Sequence, residues 1–210
     1  MRKCDVHDNM DRLTSKATPE GTLSYTYDAA GHVASISSSN ANGASMSYTY
    51  DTLDRLSTVT DNRLTSGSNV TTYTYDAANN VATVTYPNTV QSTFAYDPMN
   101  RVTGLSSQPA TYTYHRDVAG NLTSVAESSG RNVSWGYDGI YRLTNETIGS
   151  APSGKDGSVS YGLDPVGNRT SATSTIAGLA PISGTFNLDD ELASENYDQN
   201  GFGSRGVELC

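Results

Sequence analysis

Cysteines, cations and large aliphatic residues are scarce in this chain of 210 residues. The two cysteines, Cys4 and Cys210, stand near opposite ends. Two cysteines make no disulfide framework, so a bond between them stays open. Lys and Arg total 13 against 22 Asp and Glu, which gives a net charge of −9. Because the sequence has no basic patch to neutralise phosphates, it argues against a nucleic-acid partner.

Long apolar runs and helix signals are also missing. No apolar run reaches the roughly 18 residues of a membrane helix, and Met1–Asp5 lacks the apolar region of a signal peptide. We therefore expect neither a membrane span nor a signal peptide in this chain. Gly or Pro interrupts the sequence every few residues, and no window shows an amphipathic helical period with caps. Little helix is expected.

Tyrosine compensates for the shortage of aliphatic residues. Leu, Ile, Val and Phe make up about one sixth of the chain, a level that at this net charge normally indicates disorder. The chain nevertheless has 14 tyrosines, against 3 phenylalanines and 1 tryptophan. Stacked tyrosine ladders can supply buried area while each hydroxyl finds a hydrogen-bond partner. The abundance of Ser and Thr favours strands over helices.

A short motif recurs ten times, and periods of 20 to 50 residues indicate a repeat architecture. An Asp or Asn, which we call the turn opener, is followed in most repeats by Gly, Asn or Asp three positions later and by an apolar residue five positions later. The openers lie 20 to 26 residues apart, except for the last interval of 11. They are Asp8, Asp28, Asp51, Asp76, Asp97, Asp117, Asp138, Asp164, Asn187 and Asp198.

Each motif predicts a type I turn in a β-hairpin. Asp in the first position, Pro98 or Pro165 in the second and Gly in the fourth are typical of that turn. The opener carboxylate can accept a hydrogen bond from the backbone two residues on, and the fourth residue suits a left-handed backbone, with Tyr141 as the exception. The predicted structural turn residues are Asp28, Gly31, Asp51, Asp54, Asp76, Asn79, Asp97, Asn100, Asp117, Gly120, Asp138, Asp164 and Gly167.

An alternating strand precedes each turn and a second strand follows it. Period two places both rings of a Tyr-Thr-Tyr strand on one face, as an aromatic ladder. Its residues are Tyr25, Tyr27, Tyr48, Tyr50, Tyr73, Tyr75, Tyr96, Tyr112, Tyr114, Trp135 and Tyr137. Apolar pairs in the second strands, such as Val33 and Ile36, lie three apart, so they face opposite sides unless a bulge intervenes. Both arrangements stay open.

The sequence predicts an all-β array of antiparallel hairpins over residues 1–201, with a tail at 202–210. The first repeat begins near His7 without a leading strand, as if cut from a longer array. The terminal hairpins of such an array have unpaired backbone groups. We therefore expect self-association through exposed sheet edges.

The sequence contains no convincing motif for catalysis or metal binding, because the spacing or the surrounding residues do not fit. No serine lies in a nucleophile elbow, and His7, His32 and His115 are far apart in or beside turns. Gly201, Gly203 and Gly206 match a dinucleotide fingerprint by letter, but no helix follows. The opener spacing does not fit calcium loops, and 189–191 (Asp-Asp-Glu) is typical of a solvated acidic turn. We predict no catalytic residue, no cofactor-binding residue and no metal ligand.

The repeats resemble a known family. The segments YDAAGHV at Tyr27–Val33, YDTLDRL at Tyr50–Leu56 and YDAANNV at Tyr75–Val81 are similar to the YD repeats of RHS proteins. That family includes bacterial Rhs proteins, Tc-toxin C components and teneurins. The form at Tyr114–Asn121, with two residues inserted before the Asp, also resembles an RHS variant.

The resemblance implies hairpins that wind into a spiral or hollow shell, which encloses a toxin or presents a surface domain in longer, secreted or cell-surface relatives. The family's self-cleaving core segment has no counterpart, so autoproteolysis is not carried over. Three functions follow as hypotheses: a non-enzymatic shell segment, a carbohydrate- or protein-binding module that uses the tyrosine-rich faces, and a hydrolase built from turn acids and a histidine, with or without a metal.

Overall fold

The computed structural model describes residues 4–64, 69–151, 154–187 and 191–193. Every regular element in these ranges is a β-strand. The chain forms two compact units, Met1–Pro109 and Ala110–Cys210. The predicted all-β fold of antiparallel hairpins is therefore confirmed. Among the described residues, no helix has the length and apolarity to cross a membrane.

In residues 4–64 and 69–109, the N-terminal unit forms ten strands, each paired antiparallel with its neighbours in the sequence within this unit. They are β1 (Cys4–His7), β2 (Leu13–Thr18), β3 (Gly21–Tyr27), β4 (Val33–Ser38), β5 (Ser45–Tyr50), β6 (Leu56–Asp61), β7 (Val70–Tyr75), β8 (Val81–Thr85), β9 (Gln91–Tyr96) and β10 (Val102–Ser107).

The described residues of the C-terminal unit form seven strands that pair in the same way. They are β11 (Ala110–Arg116), β12 (Leu122–Glu127), β13 (Asn132–Tyr137), β14 (Leu143–Gly149), β15 (Gly157–Leu163), β16 (Arg169–Ser174) and β17 (Ile182–Ser183).

The tyrosine before each opener marks the end of a strand, as the alternating pattern predicts. Five strands end on that residue: β3, β5, β7, β9 and β13. In β11 the strand passes Tyr114 and ends at Arg116. The two residues inserted between Tyr114 and Asp117 extend the strand, so this strand ends directly before the opener and not at the tyrosine.

The first repeat differs from its prediction. Strand β1 leads into the turn at Asp8 and pairs with β2, with Asp5 opposite Lys16 and His7 opposite Leu13. These residues lack the Tyr-Thr-Tyr pattern. They form a strand because they pair with β2, although their local sequence does not indicate one.

A β-bulge decides the orientation of the apolar pairs. Tyr27 lies opposite Val33 and Tyr25 lies opposite Ile36, because the register shifts by one residue between Thr26 and Tyr27. The same shift occurs in the last residues of β5 and β7. Two residues oppose one at a bulge, so residues three apart reach the same face.

Each unit therefore has two unlike sheet faces. The aromatic face contains the Tyr side chains and the apolar residues paired with them. On the opposite face, exposed Thr hydroxyls bond across strands, as between Thr49 and Thr58 at 2.6 Å. Few of the described side chains are buried. Among the described residues the apolar ones are Val84, Val133, Val159 and Ala172, at 5–8% exposure.

Candidate functional site

The repeat turns have one common backbone geometry. At Asp76 the opener N–H donates to the carbonyl of Asn80 at 2.9 Å, and Asn79 N–H donates back to the Asp76 carbonyl at 3.1 Å. The residue three after the opener has a positive φ in eight turns: Asp11 (60°), Gly31 (96°), Asp54 (61°), Asn79 (68°), Asn100 (60°), Gly120 (97°), Tyr141 (67°) and Gly167 (108°). Tyr141 thus adopts the left-handed conformation that its residue type disfavours.

The opener carboxylate closes the turn from inside. Oδ1 of Asp76 accepts hydrogen bonds from the N–H of Ala78 at 2.8 Å and of Asn80 at 2.9 Å. The bond to the second residue is the local contact that the Asp position suggests. The bond to the fourth residue recurs at every described Asp opener with its own partner.

The side chain four residues after the opener completes the turn, and the motif as first described does not include it. In Asp51 the second carboxylate oxygen accepts from Arg55 Nε at 2.8 Å, and in Asp76 it accepts from Asn80 Nδ2 at 3.1 Å. The sequence carries a signal for this position, because after each of the eight described Asp openers the occupant has a side-chain N–H. The occupants are Arg12, His32, Arg55, Asn80, Arg101, Asn121, Arg142 and Asn168.

These bonds hold the openers in their charged form. The side-chain bond from Arg55 and the backbone N–H groups lower the pKa of Asp51 below its usual value, against an opposing effect of burial. The amide of Asn80 has the same effect on the pKa of Asp76. At the turn after β6, the guanidinium of Arg63 lowers the pKa of Asp61 to about 2. Hydrogen bonding to a carboxylate favours its ionised state.

Tyrosine hydroxyls join five of the repeats to the one before. The acceptor is always the main-chain carbonyl five residues after the preceding opener. Tyr50 donates to Val33 at 3.0 Å, and Tyr75 donates to Leu56 at 2.7 Å. Tyr27, Tyr96 and Tyr137 donate in the same way to Leu13, Val81 and Leu122. Burial of the ring raises the pKa of Tyr75.

The aromatic rings stack mainly on the turn side chains of the preceding repeat. The Arg12 guanidinium lies 4.4 Å from the Tyr27 ring centre, and that of Arg55 lies 4.2 Å from the Tyr75 ring. His32 stacks on Tyr50 at 4.4 Å.

The ladder of stacked tyrosines that the sequence suggests is therefore interrupted. Within the described part of the chain, one tyrosine pair stacks, Tyr112 with Tyr114 at 6.5 Å. The turn side chain of the preceding repeat contacts the ring instead, as Arg55 does with Tyr75.

Polar contacts run between adjacent turns as well. Arg55 donates to the side-chain oxygen of Asn79 in the next turn at 2.6 Å, and Asn80 donates to that of Asn100 at 2.9 Å. His32 replaces Arg at this position, with Nδ1 3.0 Å from Asp28 and Nε2 3.8 Å from Asp54. The turn openers, turn side chains and tyrosine hydroxyls form one network in each unit, which we call the turn network.

The other residues singled out from the sequence lie apart from this network or outside the described residues. His7 and His115 are exposed. Trp135 donates to the Glu146 carboxylate at 3.1 Å on the aromatic face. Asn187 opens a turn in which its amide donates to Glu191 at 2.8 Å, so donor and acceptor exchange roles.

Several residues singled out from the sequence lie outside the described ranges. They are the opener Asp198 and the tyrosine before it, Tyr197, the acidic residues Asp189 and Asp190, and residues 201–210, which include Cys210. Among the described residues, no group of three or more His, Cys, Asp or Glu is placed to hold a metal ion.

The family assignment follows from comparison of this sequence with family models. Residues 7–147 match the model described as Teneurin YD-shell. The chain belongs to the YD-shell family. No curated protein is similar to it in sequence.

Solved YD-shell structures share its fold. The TcdB2–TccC3 complex without the hypervariable C-terminal region matches with a TM-score of 0.73 and 16% identity, over 94% of this chain and 14% of that one. The Tc holotoxin pore of Photorhabdus luminescens matches with a TM-score of 0.67 and 16% identity, over 96% of this chain and 13% of that one. This YD-shell chain therefore spans about one seventh of the length of these relatives.

Proposed function

We propose that this chain is a structural segment of a larger YD shell that encloses or presents another domain of the same protein. One observation carries the proposal. In five repeats the hydroxyl of the tyrosine before the opener bonds the carbonyl five residues after the preceding opener, so these repeats are completed by their neighbours. Such a network extends by adding repeats, as repeat proteins do.

Family membership and the Tc toxin folds support the same role. A wall made of repeats needs stable joints and no reactive centre. The turn acids fit the structural part of that requirement, because their carboxylate oxygens are bonded within the turns. For Asp76 these bonds come from Ala78 and Asn80. Secretion or display at the cell surface, as part of a longer protein, belongs to this proposal.

The gene around this chain provides the first test. We expect further codons for YD motifs at intervals of 20 to 26 residues on at least one side of the chain, followed or preceded by an unrelated domain. An open reading frame that starts at Met1 and stops after Cys210 would overturn the proposal.

A protection experiment tests the enclosing role in the full-length protein. We expect the unrelated domain to resist limited proteolysis in the wild type and to become cleavable in the double variant Asp51→Ala, Asp76→Ala, which opens two adjacent turns. The matched control is Glu20→Ala, which removes one exposed carboxylate outside the turn network. Equal cleavage of the domain in all three proteins would show that the repeats do not enclose it.

Self-association belongs to the same proposal, because the end strands of an open sheet attract further strands. Sedimentation of the isolated chain at several concentrations tests it. We expect the mean mass to rise with concentration and to change little with salt, because backbone pairing is short-ranged. A constant monomer mass would contradict it.

A further inference from the structure

The eighth repeat departs from the pattern at two positions of the aromatic face. Five residues after the opener, the earlier repeats have Leu or Val, as in Leu56 and Val81, whereas the repeat of Asp164 has Arg169. Eight residues after the opener, Val59 and Val84 correspond to the smaller Ala172. One change adds a cation and the other removes volume.

The two changes meet in one cavity. A cavity of about 150 Å³ lies on the aromatic face of the C-terminal unit, and its lining includes Val159, Tyr161, Arg169, Ala172, Leu179 and Ile182. Its floor is apolar, because Val159 and Ala172 are each only 7% exposed. Leu179 and Ile182 form walls that remain about half exposed, at 48% and 54%.

Arg169 is free to meet a ligand. Six described arginines form ion pairs with carboxylates of their own turns: Arg12, Arg55, Arg63, Arg101, Arg131 and Arg142. Among the described residues, no carboxylate pairs with Arg169. Its guanidinium lies 5.9 Å from the Tyr161 ring centre at the mouth of the cavity. In a chain with net charge −9, an unpaired cation beside an apolar cavity favours an anionic partner.

The size of the cavity limits the apolar part of that partner. Cavities for cofactors and drug-sized ligands are usually about 300 to 1,000 Å³. A cavity of about 150 Å³ lined by apolar side chains holds a single benzene ring in another protein. One phenylalanine side chain therefore fits, and its backbone would stay at the surface near Arg169.

We propose that this cavity binds a peptide segment in which a phenylalanine is flanked by Asp or Glu. The ring lies on Val159 and Ala172, and a flanking carboxylate pairs with Arg169. This inference does not depend on the shell role, because it concerns one site on one repeat. The partner is a protein segment and not a free aromatic acid, and the experiment separates these two sources.

Binding of a fluorescein-labelled peptide with the sequence Gly-Glu-Phe-Glu-Gly to the full chain, followed by anisotropy, tests the site. We expect saturable binding. Arg169→Leu, which restores the residue type of Leu56, and Ala172→Leu, which fills the cavity, should each weaken binding about tenfold or more, since a hydrogen bond to a charged group contributes that much. Arg116→Leu removes the same charge outside the cavity and should leave affinity unchanged.

Control peptides and a free aromatic acid test the parts of the ligand separately. Peptides with Lys-Phe-Lys or Glu-Ala-Glu at the centre should bind at least about tenfold more weakly than Glu-Phe-Glu. Phenylacetate should compete only weakly. Equal affinity of the wild type and Arg169→Leu, equal affinity for the Lys and Glu peptides, phenylacetate as tight as the peptide, or no binding at about 1 mM peptide would each overturn the proposal. Circular dichroism of both variants verifies that they fold.

Discussion

The hydroxyl of Tyr75 donates a 2.7 Å hydrogen bond to the main-chain carbonyl of Leu56, a residue of the preceding repeat. The same tyrosine ring is covered by the guanidinium of Arg55, which is held in turn by Asp51. The Tyr75 side chain thus contacts both the strand and the turn of the preceding repeat. Because this contact recurs along the sheet, the stability of each repeat depends on the repeat before it.

Loss of that hydroxyl should weaken the joint. We expect Tyr75→Phe to cost about 1 kcal/mol, because it leaves the Leu56 carbonyl without this donor, and to lower the unfolding temperature by about 2 to 4 °C. Tyr73→Phe is the matched control, since Tyr73 lies on the same face of the same strand. Its hydroxyl has no hydrogen bond among the described residues. Thermal unfolding that ranks the two variants equally would contradict the role of the joint.

Substitution of the turn opener Asp76 by Ala should lower the stability of the protein more than substitution by Asn. Asp76→Ala loses the acceptor of the N–H groups of Ala78 and Asn80 together with the bond to the Asn80 amide, whereas Asp76→Asn keeps one oxygen acceptor. We expect Ala to lower the unfolding temperature by a few degrees, about 2 to 4 °C, and Asn by less. Glu20→Ala, the charge-matched control, should have little effect. Equal losses in the Ala and Asn variants would show that the charge, which both variants remove, stabilises the turn and that the hydrogen bonds do not.

The left-handed backbone at Tyr141 predicts which substitution this position tolerates better. It adopts a φ of 67° at the position where other repeats have Gly, Asn or Asp, and its side chain is 62% exposed. A left-handed backbone costs a residue with a Cβ about 1 to 2 kcal/mol, so Tyr141→Gly should be more stable than Tyr141→Ala by about 1 kcal/mol. Chemical denaturation measures the difference. A more stable Ala variant would mean that the turn relaxes out of this conformation.

Acid should destabilise the repeats over a defined range of pH. The folded-state pKa values of Asp51, Asp76 and Asp61 are below the ordinary 3.8, and that of Asp61 is about 2. A lowered pKa gives stability that is fully present above the unfolded value and is lost as the pH falls through the folded value. We expect an unfolding temperature that is constant from about pH 7 to pH 5 and falls below about pH 4.

Asp61→Asn isolates one contribution to this acid effect. The variant removes the group whose pKa is lowered to about 2 by Arg63, so its unfolding temperature should start lower at neutral pH and fall less below about pH 4. Asp5→Asn, which changes the charge by the same amount in β1, should reproduce the wild-type curve shape. An unchanged fall in Asp61→Asn would assign the acid effect to other carboxylates.

The sequence alone determined the strand and turn positions, because Tyr-Thr-Tyr alternation and an Asp followed by Gly, Asn or Asp are local signals. Strands β3, β5 and β7 end where the tyrosines predict. It also contained the donor four residues after each of the eight described Asp openers, although only the structure shows that the side chains of Arg55 and Asn80 point back to the carboxylate.

Tertiary structure decided three features that local pattern leaves open. The bulge that brings Val33 and Ile36 to one face depends on pairing with β3. The partner of each tyrosine hydroxyl lies 14 to 19 residues away in the sequence, a separation at which no local rule applies. The cavity beside Arg169 exists because two departures from the repeat, unrelated in sequence pattern, meet on one sheet face with Leu179 and Ile182. Local sequence fixes backbone conformation through short-range sterics and hydrogen bonds, whereas contacts between repeats depend on register and packing that only the folded sheet provides.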